Sequence, residues 1–286
     1  MKQFFNSVVI FCIGNFINLL SYIYPKKAKE IAYTFFSTPR AGRLQNENLP
    51  TILKQASFDF FELENHKFPV YVWAGNATKI ILVHGWESNA SRWEPLIHHL
   101  QKSGSTLIAL DGPAHGLSNG VEFNVPKYAS FIDVVVKHFE PSIIIGHSIG
   151  GSACLFHQHF YKPESIKKLI LIGSPSDLDV LIFNFKRILG LNNRVSKQLE
   201  NYFEEKFKLK IIDFSGAKMA STIEISGIVA HDTEDDVVSF KESQKIISSW
   251  KNAIFIETQG LGHSMHDEKM YQKIYNYLFD NESNAY

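Results

Sequence analysis

Residues 146–150 read Gly-His-Ser-Ile-Gly, with one serine set between two glycines. Such a serine can sit on a sharp strand-to-helix turn that presents its hydroxyl as a nucleophile. Side chains larger than hydrogen would clash in so tight a turn, which accounts for Gly146 and Gly150. The hydroxyl of Ser148 needs a base, and the base needs a carboxylate to orient it. The chain holds 12 histidines, so position must choose among them. His263 lies in Gly260-Leu261-Gly262-His263-Ser264, where glycines on both sides of Leu261 suit a loop that carries an imidazole over the serine. His266 is the rival, and it reads better as the lead into a last helix. The carboxylate should come from residues 231–238, where Asp232, Glu234, Asp235 and Asp236 compete. Asp235 is favoured because Val237 and Val238 after it should re-enter the core. The plain alternative is a solvated acidic loop that caps the next helix. Ser148, Asp235 and His263 follow one another in the order Ser, Asp, His.

Attack on a carbonyl builds an oxyanion, which needs two aimed N–H donors. One candidate is the backbone of Ile149, next after the nucleophile. The other is the backbone of Trp86 in His84-Gly85-Trp86. Read plainly, those three residues are a glycine strand end beside a packed tryptophan, and His84 reads as structural. The chemistry is acyl transfer to water with a small-molecule ester as partner, and it needs no metal and no organic cofactor.

These loops must be held by a frame. Continuous apolar runs at residues 79–83, 106–110, 142–145, 168–172, 223–230 and 253–258 read as strands buried on both faces. Helical spacing falls between them at 93–102, 126–139, 152–161, 238–250 and 270–279. Residues 58–63 and 69–73 read as an antiparallel hairpin. Repeated alternation of strand and helix predicts an α/β fold with a mostly parallel, doubly wound sheet.

Two stretches stand outside the alternation. Residues 176–210 open with Ser176 as an N-cap, run through Leu178, Leu181, Ile182, Phe185, Ile188 and Leu189 at helical spacing, and continue in a more charged helix at 194–207. This is a helical insertion after a strand's C-terminal end, where open α/β sheets place ligands. It reads as a lid whose Leu181 and Phe185 line a substrate pocket, or as an elaboration that covers core. Residues 1–50 form an N-terminal helical extension, and 51–286 the main domain with its insertion. Within the extension, residues 4–24 carry no charge and are followed by Lys26, Lys27 and Lys29. Asn6, Ser7, Gly14, Asn15, Asn18 and Ser21 fall on one side of a helix. Phe5, Val8, Val9, Cys12, Ile13, Phe16, Leu19 and Leu20 fall on the other. This stripe is read as a docked helix, as one lying in a membrane interface, or as a signal or span.

Lys and Arg number 29 against 29 Asp and Glu, so there is no basic excess to displace phosphate counterions, and nucleic acid is not an expected partner. Cys12 and Cys154 lack metal-ligand spacing and offer no disulfide framework. The expected location is the cytoplasm, with peripheral membrane contact through the N-terminal helix as the alternative.

From about residue 58 to 279 the sequence resembles the α/β-hydrolase superfamily. The likeness rests on His84-Gly85-Trp86, on residues 111–118 (Asp-Gly-Pro-Ala-His-Gly-Leu-Ser), on residues 146–150, on the spacing from His231 to Asp235, and on Gly262-His263. Residues 111–118 are similar to the family's D-x-x-G-x-G-x-S loop, with Ala114 where glycine is usual; Asp232 also stands where many members have glycine. The N-terminal stretch with Phe35-Phe36-Ser37-Thr38-Pro39-Arg40 looks like a bacterial subgroup of poorly defined substrate. The resemblance implies the fold, a helical cap and the roles of Ser148, Asp235 and His263. It implies no particular substrate, because the fold hosts esterases, lipases, thioesterases and C–C bond hydrolases. An ester with an apolar acyl or aromatic part is the expected substrate. The alternatives are thioester or C–C bond hydrolysis on the same triad, and a non-catalytic binding protein of the same fold.

Overall fold

The computed structural model describes residues 2–280, with side chains from Val8 onward. Its strands are β1 (Ser57–Leu63), β2 (His66–Trp73), β3 (Asn76–Val83), β4 (Ser105–Leu110), β5 (Ile143–His147), β6 (Lys168–Ile172), β7 (Ser226–Asp232) and β8 (Ala253–Thr258). The helices are α1 (Lys2–Ile23), α2 (Pro25–Ser37), α3 (Thr51–Lys54), α4 (Glu94–Leu100), α5 (Val125–Phe139), α6 (Ile149–Tyr161), α7 (Leu178–Leu189), α8 (Asn193–Phe207), α9 (Gly216–Ala220), α10 (Phe240–Ser249) and α11 (Glu268–Phe279).

All eight strands form one sheet in the order β1-β2-β4-β3-β5-β6-β7-β8. The β1–β2 and β2–β4 pairs are antiparallel and the rest parallel. The expected mostly parallel sheet is therefore present. Its central strands are the apolar runs: Ile80 to Val83, Leu107 to Leu110 and Leu169 to Leu171 are all inaccessible to water. Burial of β-branched and leucine side chains on both faces supplies the main driving force, at about 25 cal/mol per Å² of apolar surface. Strand β1 is mostly exposed along its length and closes one edge.

The chain divides into two compact units. One comprises residues 39–176 and those from 216 onward and holds the sheet; the other joins residues 1–38 to 177–215. In the helical unit, Ile17, Ala32, Leu189, Leu191 and Val195 form one buried cluster. Tyr33, Ile182, Leu199 and Phe203 form a second. Helix α7 is preceded by Asp177, which makes no side-chain cap, and Ser176 does not cap it. The Ser176 hydroxyl instead accepts the N–H of Ala217 at 3.3 Å. Helix α8 is capped by Asn192, whose side chain accepts the Val195 N–H. Strand β7 starts at Ser226 rather than Ile223, because Ile223 N–H closes a turn on Ala220 O after the short helix α9. No helix among the described residues is long and apolar enough to cross a membrane.

Candidate active site

Ser148 occupies the step from β5 to α6 with φ 53° and ψ −131°, a left-handed conformation that a residue with a β-carbon adopts only under constraint. Its N–H donates to Ile172 O at 2.8 Å, and its own carbonyl accepts the Gly151 N–H at 2.9 Å. The turn is closed by near contact of backbones. A Cβ on Gly150 would fall 2.2 Å from His84 O, and one on Gly146 would fall 2.6 Å from the Gly151 Cα. Neither position tolerates a side chain, so the two glycines are a steric requirement of the serine's placement.

The three side chains singled out in the sequence form one hydrogen-bonded row. Ser148 Oγ and His263 Nε2 are 2.9 Å apart, and His263 Nδ1 and Asp235 Oδ2 are 2.8 Å apart. Asp235 is fully buried at its side chain, while His263 is partly open. Burial alone would raise the Asp235 pKa, but hydrogen bonds from His231, His263 and the Val238 N–H outweigh it and hold the carboxylate well below its usual range. Oδ1 accepts the N–H groups of Val237 and Val238 at 2.9 and 2.8 Å. The re-entry expected of the valine pair applies to Val238, which is buried; Val237 is exposed.

The competing acids do other work. Asp232 accepts from the Glu234 N–H, the Thr258 hydroxyl and the Leu261 N–H, and so ties the end of β7 to the loop that carries His263. Burial opposes its ionisation, yet those bonds leave its pKa below the usual value. Glu234 accepts from the Gln259 amide. His266 Nδ1 meets the Tyr271 hydroxyl, and burial followed by the charge of Arg92 brings its pKa down to about 4.

Three histidines not singled out as site residues shape the site. His147 Nε2 lies 2.8 Å from His263 O and therefore donates its proton there. Burial, then Arg92, lowers its pKa well below normal, so the ring is neutral, and its buried Nδ1 finds no partner among the described residues. It clamps the backbone of His263 from the variable position of the serine motif. His231 Nε2 lies 3.2 Å from Asp235 Oδ2 and 3.0 Å from Val238 O, which makes it a second donor to the carboxylate. His115 accepts the Glu87 N–H on Nε2 at 2.9 Å and donates from Nδ1 to Pro113 O. Burial brings its pKa down to about 4, which keeps the acceptor nitrogen free of a proton. The loop after β3 is thus pinned one residue beyond Trp86. Only the spacing from His231 to Asp235 hinted at any of these in the sequence.

His84 spends both ring nitrogens on backbone, donating to Gly85 O and accepting the Gly112 N–H. The backbone N–H groups of Trp86 and Ile149 have no acceptor among the described residues, and Ile149 is the first residue of α6, where helical N–H groups lack internal partners. Residues 111–118 are organised by Asp111, whose carboxylate accepts from the Ala90 and Leu117 N–H groups and the Tyr71 hydroxyl. Ala114, where glycine was expected, takes φ 63°.

A cavity of about 360 Å³ opens over this row, lined by Trp86, Arg92, His147, Ser148, Val237, His263 and His266, with Ser88 and Ser264. Arg92 Nη2 donates to Ser264 O at 3.1 Å, and burial brings its pKa down to about 10, so it remains a cation at neutral pH. All of these residues belong to the sheet unit. Leu181 and Phe185 lie on α7 in the helical unit, where Phe185 meets Phe36 edge to face with centroids 5.2 Å apart.

Residues 78–223, just over half of the chain, match the family described as alpha/beta hydrolase fold. A serine hydrolase-like protein of Homo sapiens is 31% identical over 107 residues, covering 34% of this chain and 49% of that protein. A pimeloyl-acyl-carrier-protein methyl ester esterase of Pseudoalteromonas atlantica is 28% identical over 103 residues, covering 35% and 38%. The chain thus spans less than half the length of these curated relatives. A crystallised membrane phospholipase A, a bacterial virulence factor, superposes with TM-score 0.62 at 14% identity over 97% of this chain and 98% of its own, a likeness of fold.

Proposed function

Because this chain belongs to the α/β-hydrolase superfamily, we propose that it is a serine hydrolase that cleaves a carboxylic ester with an apolar acyl or aromatic part. The carrying observation is the row Ser148 Oγ, His263 Nε2, His263 Nδ1, Asp235 Oδ2, with both links under 3 Å. Asp235 is fixed as an acceptor by its environment, so His263 Nδ1 carries the proton and Nε2 faces Ser148 as a base. As Ser148 Oγ attacks the carbonyl carbon, its proton passes to His263 Nε2, and the buried carboxylate stabilises the imidazolium. The N–H groups of Trp86 and Ile149 receive the oxyanion. Collapse of the tetrahedral intermediate breaks the ester C–O bond, and His263 returns the proton to the leaving alcohol. Water, deprotonated by His263, then attacks the acyl-enzyme and releases the acid and free Ser148.

The indole of Trp86 and the side chain of Val237 give the cavity an apolar wall for the acyl part. The test is covalent labelling by a fluorophosphonate together with turnover of p-nitrophenyl esters of rising chain length. Ser148→Ala should abolish both while leaving the melting temperature unchanged, since only one oxygen is lost. Undiminished labelling of that variant would refute the assignment.

A further inference from the structure

Helix α1 carries apolar side chains on its open side as well as on its protein-facing side. The side that meets the protein carries Gly14, Ile17 and Ser21, which are buried, with Ile10 and Ile13 packed against the same cluster as Ile17. A Cβ on Gly14 would fall 1.7 Å from Leu189 O, so the helix backbone lies directly against the end of α7. Asn18 donates to Gly190 O at 2.9 Å and accepts the Asn192 N–H at 2.8 Å. Arg194 Nε donates to Ser21 O at 3.0 Å. These polar groups spend their hydrogen bonds on the α7–α8 turn. The open side is largely apolar; Asn15 lies on it, and its amide donates back to Phe11 O at 2.9 Å. Phe11 is 69% exposed, Leu19 63% and Tyr22 66%, and Val8, Val9, Phe16 and Ile23 are open as well. On α7 of the same unit, Phe183 and Ile188 are also exposed.

An aqueous surface selects polar residues for the open side of a docked helix. A helix seated on protein through close backbone approach and hydrogen bonds, with large apolar side chains on its open side, is the pattern of a helix whose outer medium is hydrocarbon. The flanking chemistry fits a bilayer surface. No charged residue occurs between Lys2 and Lys26. Tyr22 and Tyr24 are exposed near the C-terminal end of α1, the guanidinium of Arg194 lies 5.2 Å from the Tyr22 ring, and Lys26 and Lys27 follow on exposed positions. Tyrosines beside cations mark the headgroup level of membrane-bound segments. The helical unit also carries eleven Lys and Arg against seven Asp and Glu, a net +4 in a chain whose net charge is zero.

We infer that the outward face of α1 docks on an anionic lipid surface, lying in the interface with its Phe11–Leu19 side among the acyl chains and Lys26 and Lys27 at the phosphates. The opposite side of α1 is occupied by protein, so the helix lies along the membrane and is not surrounded by it. This reading is independent of the catalytic one, and Ser148→Ala should dock as the parent chain does.

The full-length protein should co-sediment with phosphatidylglycerol-containing vesicles and far less with pure phosphatidylcholine vesicles. Cys12 is exposed and Cys154 buried, so an environment-sensitive dye attached to the folded protein reports from α1, and its emission should shift blue on vesicle addition. The variant F11S/F16S/L19S should lose at least about tenfold in partition for each side chain withdrawn, with the melting temperature and short-chain ester turnover kept. K26Q/K27Q leaves every packed side chain in place and should weaken anionic-vesicle binding by about fivefold per lysine without changing binding to phosphatidylcholine. Absence of vesicle binding by the parent chain, or binding indifferent to both variants, overturns the inference. So does a dimer in buffer that the serine variant converts to monomer with no vesicle binding, since a second copy would then be what covers the face.

Discussion

Asp235→Asn isolates the carboxylate's role, because the site dictates how the amide must sit. Oδ1 of Asp235 accepts two backbone N–H groups, from Val237 and Val238. Only the amide oxygen of asparagine can replace it there. The NH₂ is thereby forced into the Oδ2 position, facing His263 Nδ1 at about the present 2.8 Å. A donor at that point requires Nδ1 to be the acceptor, so the imidazole proton moves to Nε2 and points at Ser148 Oγ. The base is then protonated on the wrong nitrogen while the geometry is kept. In serine proteases the equivalent change costs about 10⁴ in kcat, which is about 5.5 kcal/mol of transition-state stabilisation. Here the same NH₂ also meets His231 Nε2–H, which adds a stability cost of about 1–3 kcal/mol for opposed donors. The assay is kcat and KM on p-nitrophenyl acetate, with melting temperature measured beside it. A fall of about four decades in kcat at nearly constant KM is expected. A loss below tenfold, or an equal loss in Asp232→Asn with Asp235→Asn active, would refute the reasoning.

His147→Phe keeps an aromatic ring but removes the donor to His263 O, and kcat should fall about tenfold for one lost hydrogen bond, with KM unchanged and a steady-state ester assay as the check. In the helical unit, Phe185→Ala should cost about 2 kcal/mol in urea denaturation, less than the 3–5 kcal/mol of a fully buried phenylalanine; Ile188→Ala, which is 61% exposed, should stay within about 0.5 kcal/mol. Acid should destabilise the protein early. Burial lowers the pKa values of His115, His157 and His266 to about 4, and those of His84 and His147 well below normal, so the unfolded chain binds more protons than the folded one between pH ~6.5 and ~4. Asp111 opposes this, because burial raises its pKa to about 6, and its stabilising contribution is complete below the unfolded value and lost as pH rises through 6. Five histidines outweigh one carboxyl, so unfolding free energy should fall as pH drops across that window, by about 1.4 kcal/mol per pH unit for each extra proton the unfolded chain binds; a flat profile by denaturant titration would count against the burial assignments.

What the sequence made legible depends on what hydrophobic pattern can report. The strand runs were readable because a strand buried on both faces is apolar at every position, and β3 to β8 occupy those runs with shifts of a few residues at their ends. The short helices α3 and α9 were not seen, since four or five residues complete barely a turn and show no period. Glycines at 146 and 150 pointed to Ser148 because close approach of backbone leaves no other residue type. Among four neighbouring acids, the hydrophobic pattern separated Asp235 by the pair after it, and Val238 does anchor the carboxylate through its N–H. His147 escaped notice because its role comes from one hydrogen bond across the fold, from β5 to His263 O, whereas His231 was hinted at by its spacing to Asp235, four residues on. Nothing local in the sequence marks the bond that His147 makes.

Helix α1 shows the limit of pattern more sharply. The stripe that separates Gly14, Asn18 and Ser21 from Phe16 and Leu19 was readable from spacing alone, yet spacing contains no sign of which side turns inward. That sign is set by the medium, because an apolar face seeks whatever apolar phase is nearest. In a water-exposed helix the phase is the protein core, and the inward side would have been Phe16 and Leu19. The observed contacts choose the other side: Asn18 reaches both Gly190 and Asn192, and the α7 terminus comes so near Gly14 that a methyl group would not fit. Those contacts need small and hydrogen-bonding residues and cannot be made by the phenylalanine side. The sequence therefore joins a hydrogen-bonding seat on the α7–α8 turn to an open apolar stripe, the side for which we infer a lipid surface. A Gly14→Leu substitution separates the two demands, since it adds hydrophobicity to the helix while destroying the seat. It should lower the melting temperature and disturb the helical unit even though the mean hydropathy of α1 rises.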